Sequence, residues 1–392
     1  MRWIVAALAL LLFAIATVRF VGPGMAERDM NRVLPHDPWP VTEAAASLHR
    51  RLRIADWHTD TLLWARDPLE RADRGHVDVP RLEEGNVAVQ VFTAVTKSPA
   101  GQNYEENATD ARDNITLLAV GQGWPPRTWS SLAERALYQA ERLQRAADEA
   151  PERLRLVTDA EAFDEALRQR ELQGTPVIAL LGTEGLHALD GDLANLDRLW
   201  DAGYRVFGLQ HFFDNALGGS LHGQSGEGLT PFGREVVQEI VRRGGIIDVA
   251  HSAPAVVRDV LALTDRPPIV SHTGLSGACD TPRNFTDWMM GEIADRGGLL
   301  GIGFWDAAVC DVSPEGIARS IAYGVERFGA EHISLGSDYD GSTEVPFDAS
   351  ELSALTQALV DEGLTDAQIA AVMGENTLAF LQRWLPAPSD AT

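Results

Sequence analysis

The chain is predicted to be α/β, a (β/α)8 barrel of the TIM type. Three observations carry this. Eight short apolar runs, mostly β-branched, recur along the chain; helical stretches alternate with them; polar or glycine residues follow most runs at once. Near-continuous apolar character is what parallel strands buried on both faces require. A doubly wound open sheet is the alternative, but no G-x-G-x-x-G opens a helix here. A length of 392 residues fits one large barrel with long loops.

The elements follow in chain order. Arg2 precedes an apolar run from Trp3 to Val18, with Arg19 behind it. As a helix this run would span roughly 24 Å, short of the ~30 Å hydrocarbon core. Snorkelling of Arg19, with Phe20 and Val21 added, brings it close to spanning. Residues 1–22 are therefore expected as a signal-anchor, a hydrophobic helix outside the barrel. A cleaved export signal is the second reading, cut near Ala14-Ile15-Ala16 or Gly24-Met25-Ala26, and a buried core helix the third. Either of the first two puts the rest of the chain outside the cytoplasm, periplasmic or extracellular. Residues 23–45 are expected as a linker, stiffened by Pro35-His36-Asp37-Pro38-Trp39-Pro40.

The barrel domain is expected over 46–385. Its strands are read at Ile54–Trp57, Val87–Val95, Val177–Leu181, Arg205–Leu209, Gly245–Val249, Pro268–Val270, Leu299–Phe304 and His332–Leu335. Helices are read at Leu193–Ala202, Pro231–Arg243 with Gly244 as its stop, Ala255–Thr264 and Pro314–Phe328. The longest insertion, 96–173, holds an amphipathic helix near Leu132–Ala147 and is expected to form a lid or side wall. Residues 386–392 read as a frayed tail, and no internal repeat is visible.

Composition excludes several classes. Hydrophobic residues at 45% and charged residues at 23% are ordinary for a globular protein. A net charge of −24 repels phosphate, so nucleic acid is not an expected partner and anionic membrane surfaces are disfavoured. Cys279 and Cys310 are the only cysteines, enough for one bridge and too few for a thiolate zinc cluster. A bound metal must use histidine and carboxylate. Lys97 is the only lysine, and with abundant Ala, Leu and Arg this fits a GC-rich, bacterial coding sequence.

In barrel enzymes the reactive groups project from the C-terminal ends of the strands. Here the first strand ends in Asp56-Trp57-His58-Thr59-Asp60, the third in Gly182-Thr183-Glu184-Gly185 and the fourth in Gln210-His211. The fifth ends in Asp248-Val249-Ala250-His251, the sixth in Ser271-His272 and the eighth in Gly336-Ser337-Asp338-Tyr339-Asp340. His58 and Asp60, two apart on a strand, share one face. Neutral imidazole and carboxylate suit Zn²⁺, Mn²⁺ or Fe²⁺. His251 and His272 offer a second, nitrogen-rich site, and Glu184 a carboxylate to bridge two ions. Taken singly, each histidine could be a satisfied core or loop residue, and Asp60 an N-cap before Thr61. His36, His49, His76 and His332 lie away from the mouth; His187 and His222 lie in loops near it, where either could touch substrate.

These motifs, together with Pro282-Arg283-Asn284 and Gly374-Glu375-Asn376, resemble those of the membrane dipeptidase (renal dipeptidase) family of zinc metallopeptidases. The resemblance runs from about Ile54 to Phe380. It implies a zinc dipeptidase with two Zn²⁺ per chain and a metal-bridging hydroxide as nucleophile. His58 and Asp60 would bind one ion, His251 and His272 the other, with Glu184 between them. His211 would steady the oxyanion, and Arg283 would grip the dipeptide's C-terminal carboxylate. Asp338 would face its amine and shuttle a proton. A surface ion pair for Arg283 and a turn or N-cap role for Asp338 are the plainer readings. The resemblance further implies tolerance of a D-residue at the C-terminal position, a β-lactam-opening side activity and a homodimer. Departures from the family pattern are Trp57, Thr59 and Ala250, none at a ligand position. Trp57 is expected to reshape the pocket floor or to pack under the metals. Phe304 and Trp305 are expected to wall one substrate side chain. The polar C-terminus offers no glycosyl-lipid signal, so any anchor is expected to be N-terminal.

Two alternatives remain open at this stage. One is another binuclear-metal amidohydrolase, of deacetylase or lactonase type. Such enzymes usually carry His-x-His at strand one and a bridging lysine, whereas this chain has His58-x-Asp60 and a single lysine after strand two. The other is a catalytically silent binding barrel, which would usually have lost ligands that this chain keeps.

Overall fold

The computed structural model describes Trp3, Arg19 and residues 21–388. Apart from Trp3, the apolar run read as a hydrophobic N-terminal helix lies outside the described residues, as do the cleavage site at 14–16 and the tail from 389. Among the described residues, no helix is long and apolar enough to cross a membrane.

Eight parallel strands form the barrel: β1 Ile54–Thr59, β2 Val87–Val95, β3 Val177–Glu184, β4 Tyr204–Gly208, β5 Ile246–Asp248, β6 Ile269–Thr273, β7 Leu299–Ile302 and β8 Ile333–Leu335. Each pairs with the next, and β8 returns to β1 with Leu335 opposite Asp56. Every strand residue is buried, as helices outside and side chains inside demand. All eight expected strands are present, with shifted ends. Hydropathy stops at Leu181, but the ladder does not: Gly182, Thr183 and Glu184 pair with Thr93, Ala94 and Val95. Strand pairing therefore carries β1 and β3 directly into the polar residues of the mouth. Gly336, just after β8, runs so close to the Ser271 carbonyl that a Cβ there would overlap it.

Helix limits follow their caps. In Pro231–Arg243, Thr230 accepts from the Gly233 amide and Gly244 ends the helix at φ 83°. In Pro314–Phe328, Ser313 accepts from the Gly316 amide. The insertion is more structured than one amphipathic helix. It holds Asn114–Gln122, Leu132–Glu149, Ala160–Gln173 and an unexpected strand, Leu154–Leu156, that pairs with the start of β3.

The stretch 23–45, expected as a linker, is largely built into the fold. Gly22–Met30 forms a helix, α1; Arg32–Val33 pairs with Glu344–Val345; Thr42 caps a further helix, Glu43–His49. In the insertion, the helix Asn114–Gln122 (α2) packs beside α1. At the other end, the helix Asn376–Trp384 crosses the N-terminal end of the barrel. The Ala160 amide donates to the Pro386 carbonyl at 2.9 Å, Arg266 donates to the Trp384 carbonyl, and Pro386 lies against Gly244. Pro386 is thus docked rather than frayed. Trp57 is fully buried in this floor, edge-on to Phe380 with ring centroids 5.8 Å apart. It packs beneath the site and does not line the pocket.

Candidate metal centre

Glu184 is the hub of the mouth. Its Oε2 lies 2.7 Å from His58 Nε2, and its Oε1 lies 2.9 Å from His251 Nε2, 3.4 Å from His211 Nε2 and 3.6 Å from His272 Nε2. His58 Nε2 is also 3.5 Å from Asp60 Oδ1 and 3.8 Å from Asp338 Oδ1, and His251 and His272 present their Nε2 atoms to each other at 2.9 Å. Donor atoms of His58, Asp60 and Glu184, of Glu184, His211 and His251, and of His58, His272 and Asp338 cluster tightly enough to hold an ion. The structure thus gathers seven of the eight residues singled out in the sequence, and Arg283, the eighth, lines the same cavity. Asp60 does not act as a capping side chain: it makes no cap bond and instead accepts from Thr93 Oγ at 2.7 Å.

An outer layer orients these ligands. Ser271 Oγ gives its one proton to Asp248 Oδ2 at 2.6 Å, so it can only accept from His272 Nδ1, 2.9 Å away. His272 is thereby left with a lone pair on Nε2, aimed at the centre. Asp248 is held in turn by the amides of Ala250 and Ser271. Asp56 ties β1 to its neighbours through the Ser337 amide at 2.8 Å and Gln90 Nε2 at 2.8 Å. Asp56, Thr93, Asp248 and Ser271 received no role from the sequence. The signal was present: an aspartate stands two residues before His58 and three before His251.

Electrostatics fit a cation. Burial opposes charge on His58, yet Glu184 and Asp60 outweigh it and hold the imidazole pKa well above its ordinary value. A divalent ion among the same donors would balance the same negative charge. Burial pushes His251 and His272 well down, into the neutral form that ligates metals. The convergent, lone-pair-bearing nitrogens and shared carboxylate therefore suit a borderline divalent metal.

Around the centre lies a cavity of about 540 Å³, lined among others by Asp60, Glu184, His211, Arg283, Trp305 and Asp338. Arg283 is fully buried and makes no ion pair among the described residues, so it is not a surface salt-bridge residue. Its Nη1 and Nη2 donate to the carbonyls of Ala250 (3.1 Å) and His272 (2.7 Å), which braces the backbone beside two ligands. A disulfide between Cys279 and Cys310 joins the loop carrying Arg283 to the loop after Trp305. Asp338 sits at φ 58°, and burial, with Asp60 and Glu184 close by, pushes its carboxyl well above the usual range despite His58 and Arg283. His211 Nδ1 donates to the Lys97 carbonyl at 3.2 Å, leaving Nε2 toward Glu184.

One expectation, the wall at Phe304, needs correction. Phe304 does not wall the pocket; it packs on Tyr339 and Phe347, and only Trp305 reaches the cavity. His222 lies behind the cavity against Phe212 and His251, and His187 against Phe213; burial holds both near a pKa of about 3. Neither lines the pocket. Tyr104, which no local sequence pattern marks, does line it, and its hydroxyl accepts from Trp305 Nε1 at 2.9 Å. Lys97 donates to the Thr109 carbonyl and rests over Phe213, so it is no bridging lysine.

Fold and site together define a barrel hydrolase of the metal-dependent kind. Residues 42–384 match the membrane dipeptidase family (peptidase family M19), and the chain belongs to that family: it is a metallodipeptidase. Solved structures share the fold. A dipeptidase of family M19 is 25% identical, with 86% of this chain and 99% of its own covered and a TM-score of 0.68. The probable dipeptidase PvdM from Pseudomonas aeruginosa is 18% identical over 87% and 97%, TM-score 0.71. A metallopeptidase from Rhodobacter sphaeroides, liganded with a phosphinate mimic of L-Ala-D-Ala, is 23% identical over 85% and 99%, TM-score 0.65.

Proposed function

We propose that this metallodipeptidase is a binuclear zinc enzyme cleaving free dipeptides, including those with a D-residue at the C-terminal position. The observation that carries the reading is Glu184 with an imidazole nitrogen close to each carboxylate oxygen, 2.7 Å on one side and 2.9 Å on the other. His58, Asp60 and Glu184 would hold one ion and Glu184, His251 and His272 the other, supplying Lewis acidity and an activated water. Arg283 binds the substrate's C-terminal carboxylate through its remaining N–H donors; a planar fork suits that group. Asp338 faces the amine as a carboxylate and relays to the leaving nitrogen the proton that the attacking water gives up. His211 presents Nε2 beside Glu184, where it steadies the oxyanion as charge develops. The phosphinate dipeptide mimic bound by the Rhodobacter sphaeroides relative supports the D-residue reading. The disulfide supports an exported domain, since such bonds persist in oxidising compartments. Membrane attachment through residues 1–22 is part of the same proposal.

The test is hydrolysis of L,L- and L,D-dipeptides by the full chain before and after chelation, with metal content measured in parallel. Activity lost to chelator and restored by Zn²⁺, with two metals per chain, is expected. Two bound metals without dipeptide cleavage would move the substrate elsewhere.

A further inference from the structure

We propose that α1 builds a subsite for a large apolar side chain on the dipeptide's N-terminal residue, and so sets this enzyme's substrate preference. The inference rests on the dipeptidase reading and adds a specificity that family membership does not supply. Residues 22–30 precede the matched stretch 42–384, yet Pro23, Ala26 and Met30 line the same cavity as Glu184 and Arg283. Leu63, after β1, and Ile115 and Leu118, on α2, complete an apolar wall with them.

The wall is fixed in place. Glu27 is only 1% exposed on α1, paired with Arg66 and, at 2.6 Å, with Arg74. Arg66 also pairs with Asp340, two residues beyond Asp338. At the end of α1, Asn31 Oδ1 accepts from the Ser342 amide at 2.8 Å, and the Leu34 amide donates to the Val345 carbonyl at 2.8 Å. α1 is therefore clamped to the loop that bears Asp338.

Charge sets which end of the substrate meets this wall. A carboxylate belongs at Arg283, in the loop after β6, and an ammonium at Asp338, after β8. The apolar wall adjoins β8, β1 and β2, on the ammonium side, so it meets the first side chain. The cavity, about 540 Å³, has room for on the order of eighteen waters at about 30 Å³ each. Two alanyl residues leave the α1 side unfilled. Burying a larger apolar side chain there adds binding of the kind that separates substrates differing in methylene count by about tenfold or more.

The experiment compares kcat/KM for Leu-Ala, Phe-Ala and Gly-Ala, with alanine of whichever hand is cleaved, using the zinc-loaded full chain. Leu-Ala and Phe-Ala are expected to exceed Gly-Ala by at least about tenfold. Ala26→Phe, which fills the wall, is expected to bring that ratio near one. Met30→Ala, a milder change read if Ala26→Phe does not fold, is expected to lower the ratio for Leu-Ala, mainly through KM. Calorimetric binding of leucyl and glycyl phosphinate dipeptide analogues gives the same comparison without turnover. A wild-type ratio near one, or a high ratio that both variants leave unmoved, overturns the subsite while the dipeptidase reading stands. Cleavage of no dipeptide at all removes that reading, and the subsite with it.

Discussion

At the C-terminal end of the barrel, Asp60, Glu184 and Asp338 share a small space with four imidazoles. At the N-terminal end, Trp57, Phe380, Leu381 and Leu385 fill a comparable space with no charge among them. The mouth is crowded with like charges: Asp60 and Glu184 both push the Asp338 carboxyl upward. Its backbone is also held in unfavourable territory, with positive φ at Asp338, Asp340 and Ser342. The floor has close-packed apolar side chains and a docked terminal helix. Strain at one end thus coexists with stability because the two ends are built from different residues, and most substitutions should separate their effects.

The largest separation is expected at the hub. Glu184→Gln should abolish hydrolysis and reduce bound metal, while the melting temperature of the metal-free protein stays nearly level, since the lost pairing with His58 is offset by relief of the like charge on Asp60 and Asp338. Activity, metal analysis and thermal unfolding together check this; a fall in metal-free stability would break the contrast. Phe380→Ala should do the reverse. It should cost about 3–5 kcal/mol by denaturant titration, with kcat/KM of the folded, metal-loaded enzyme within a few-fold of wild type. Asp248→Asn probes the layer between the ends: a loss of about 10–100-fold in metal affinity or activity is expected, read by zinc titration against a competing chelator.

The smallest effect is a pH dependence on the floor side. Burial lowers His49 to about 4 from 6.5, and its Nδ1 meets Thr356 Oγ1 at 2.8 Å. The unfolded chain therefore takes up this proton first as the pH falls. The contribution to stability is whole above about 6.5, declines between 6.5 and 4, and is lost below that. The slope from this residue is at most about 1.4 kcal/mol per pH unit. His49→Gln should flatten the wild-type curve in that window alone, as measured by urea titration across pH; an unchanged slope would remove His49 from the account.

The sequence made the barrel, and the eight residues that gather at its mouth, legible for one shared reason. Parallel strands buried on both faces read as apolar runs, and a polar residue directly after such a run marks the mouth. The same rule misjudged strand ends, because Thr183 and Glu184 keep ladder bonds although they are polar. It misjudged α1 as well. Gly22, Pro23, Gly24 and a run of charges look like a linker, and what holds the helix is Glu27 paired with Arg66, which pairs in turn with Asp340, all far apart in sequence. Phe304 and Trp305 are neighbours of equal hydropathy, yet only Trp305 reaches the cavity; their divergence depends on the partners Tyr339 and Tyr104, which no local pattern gives.

The docked C-terminal helix has a topological consequence. Most domains bring their two termini close together, which is what makes circular permutation easy. Here α1 borders the mouth while Pro386 is pinned beneath the opposite end. Joining Gly22 directly to Pro386 would require a bridge along the whole length of the barrel. A reporter fused after Pro386 stands clear of incoming substrate, whereas one placed just ahead of Gly22 stands at the entrance.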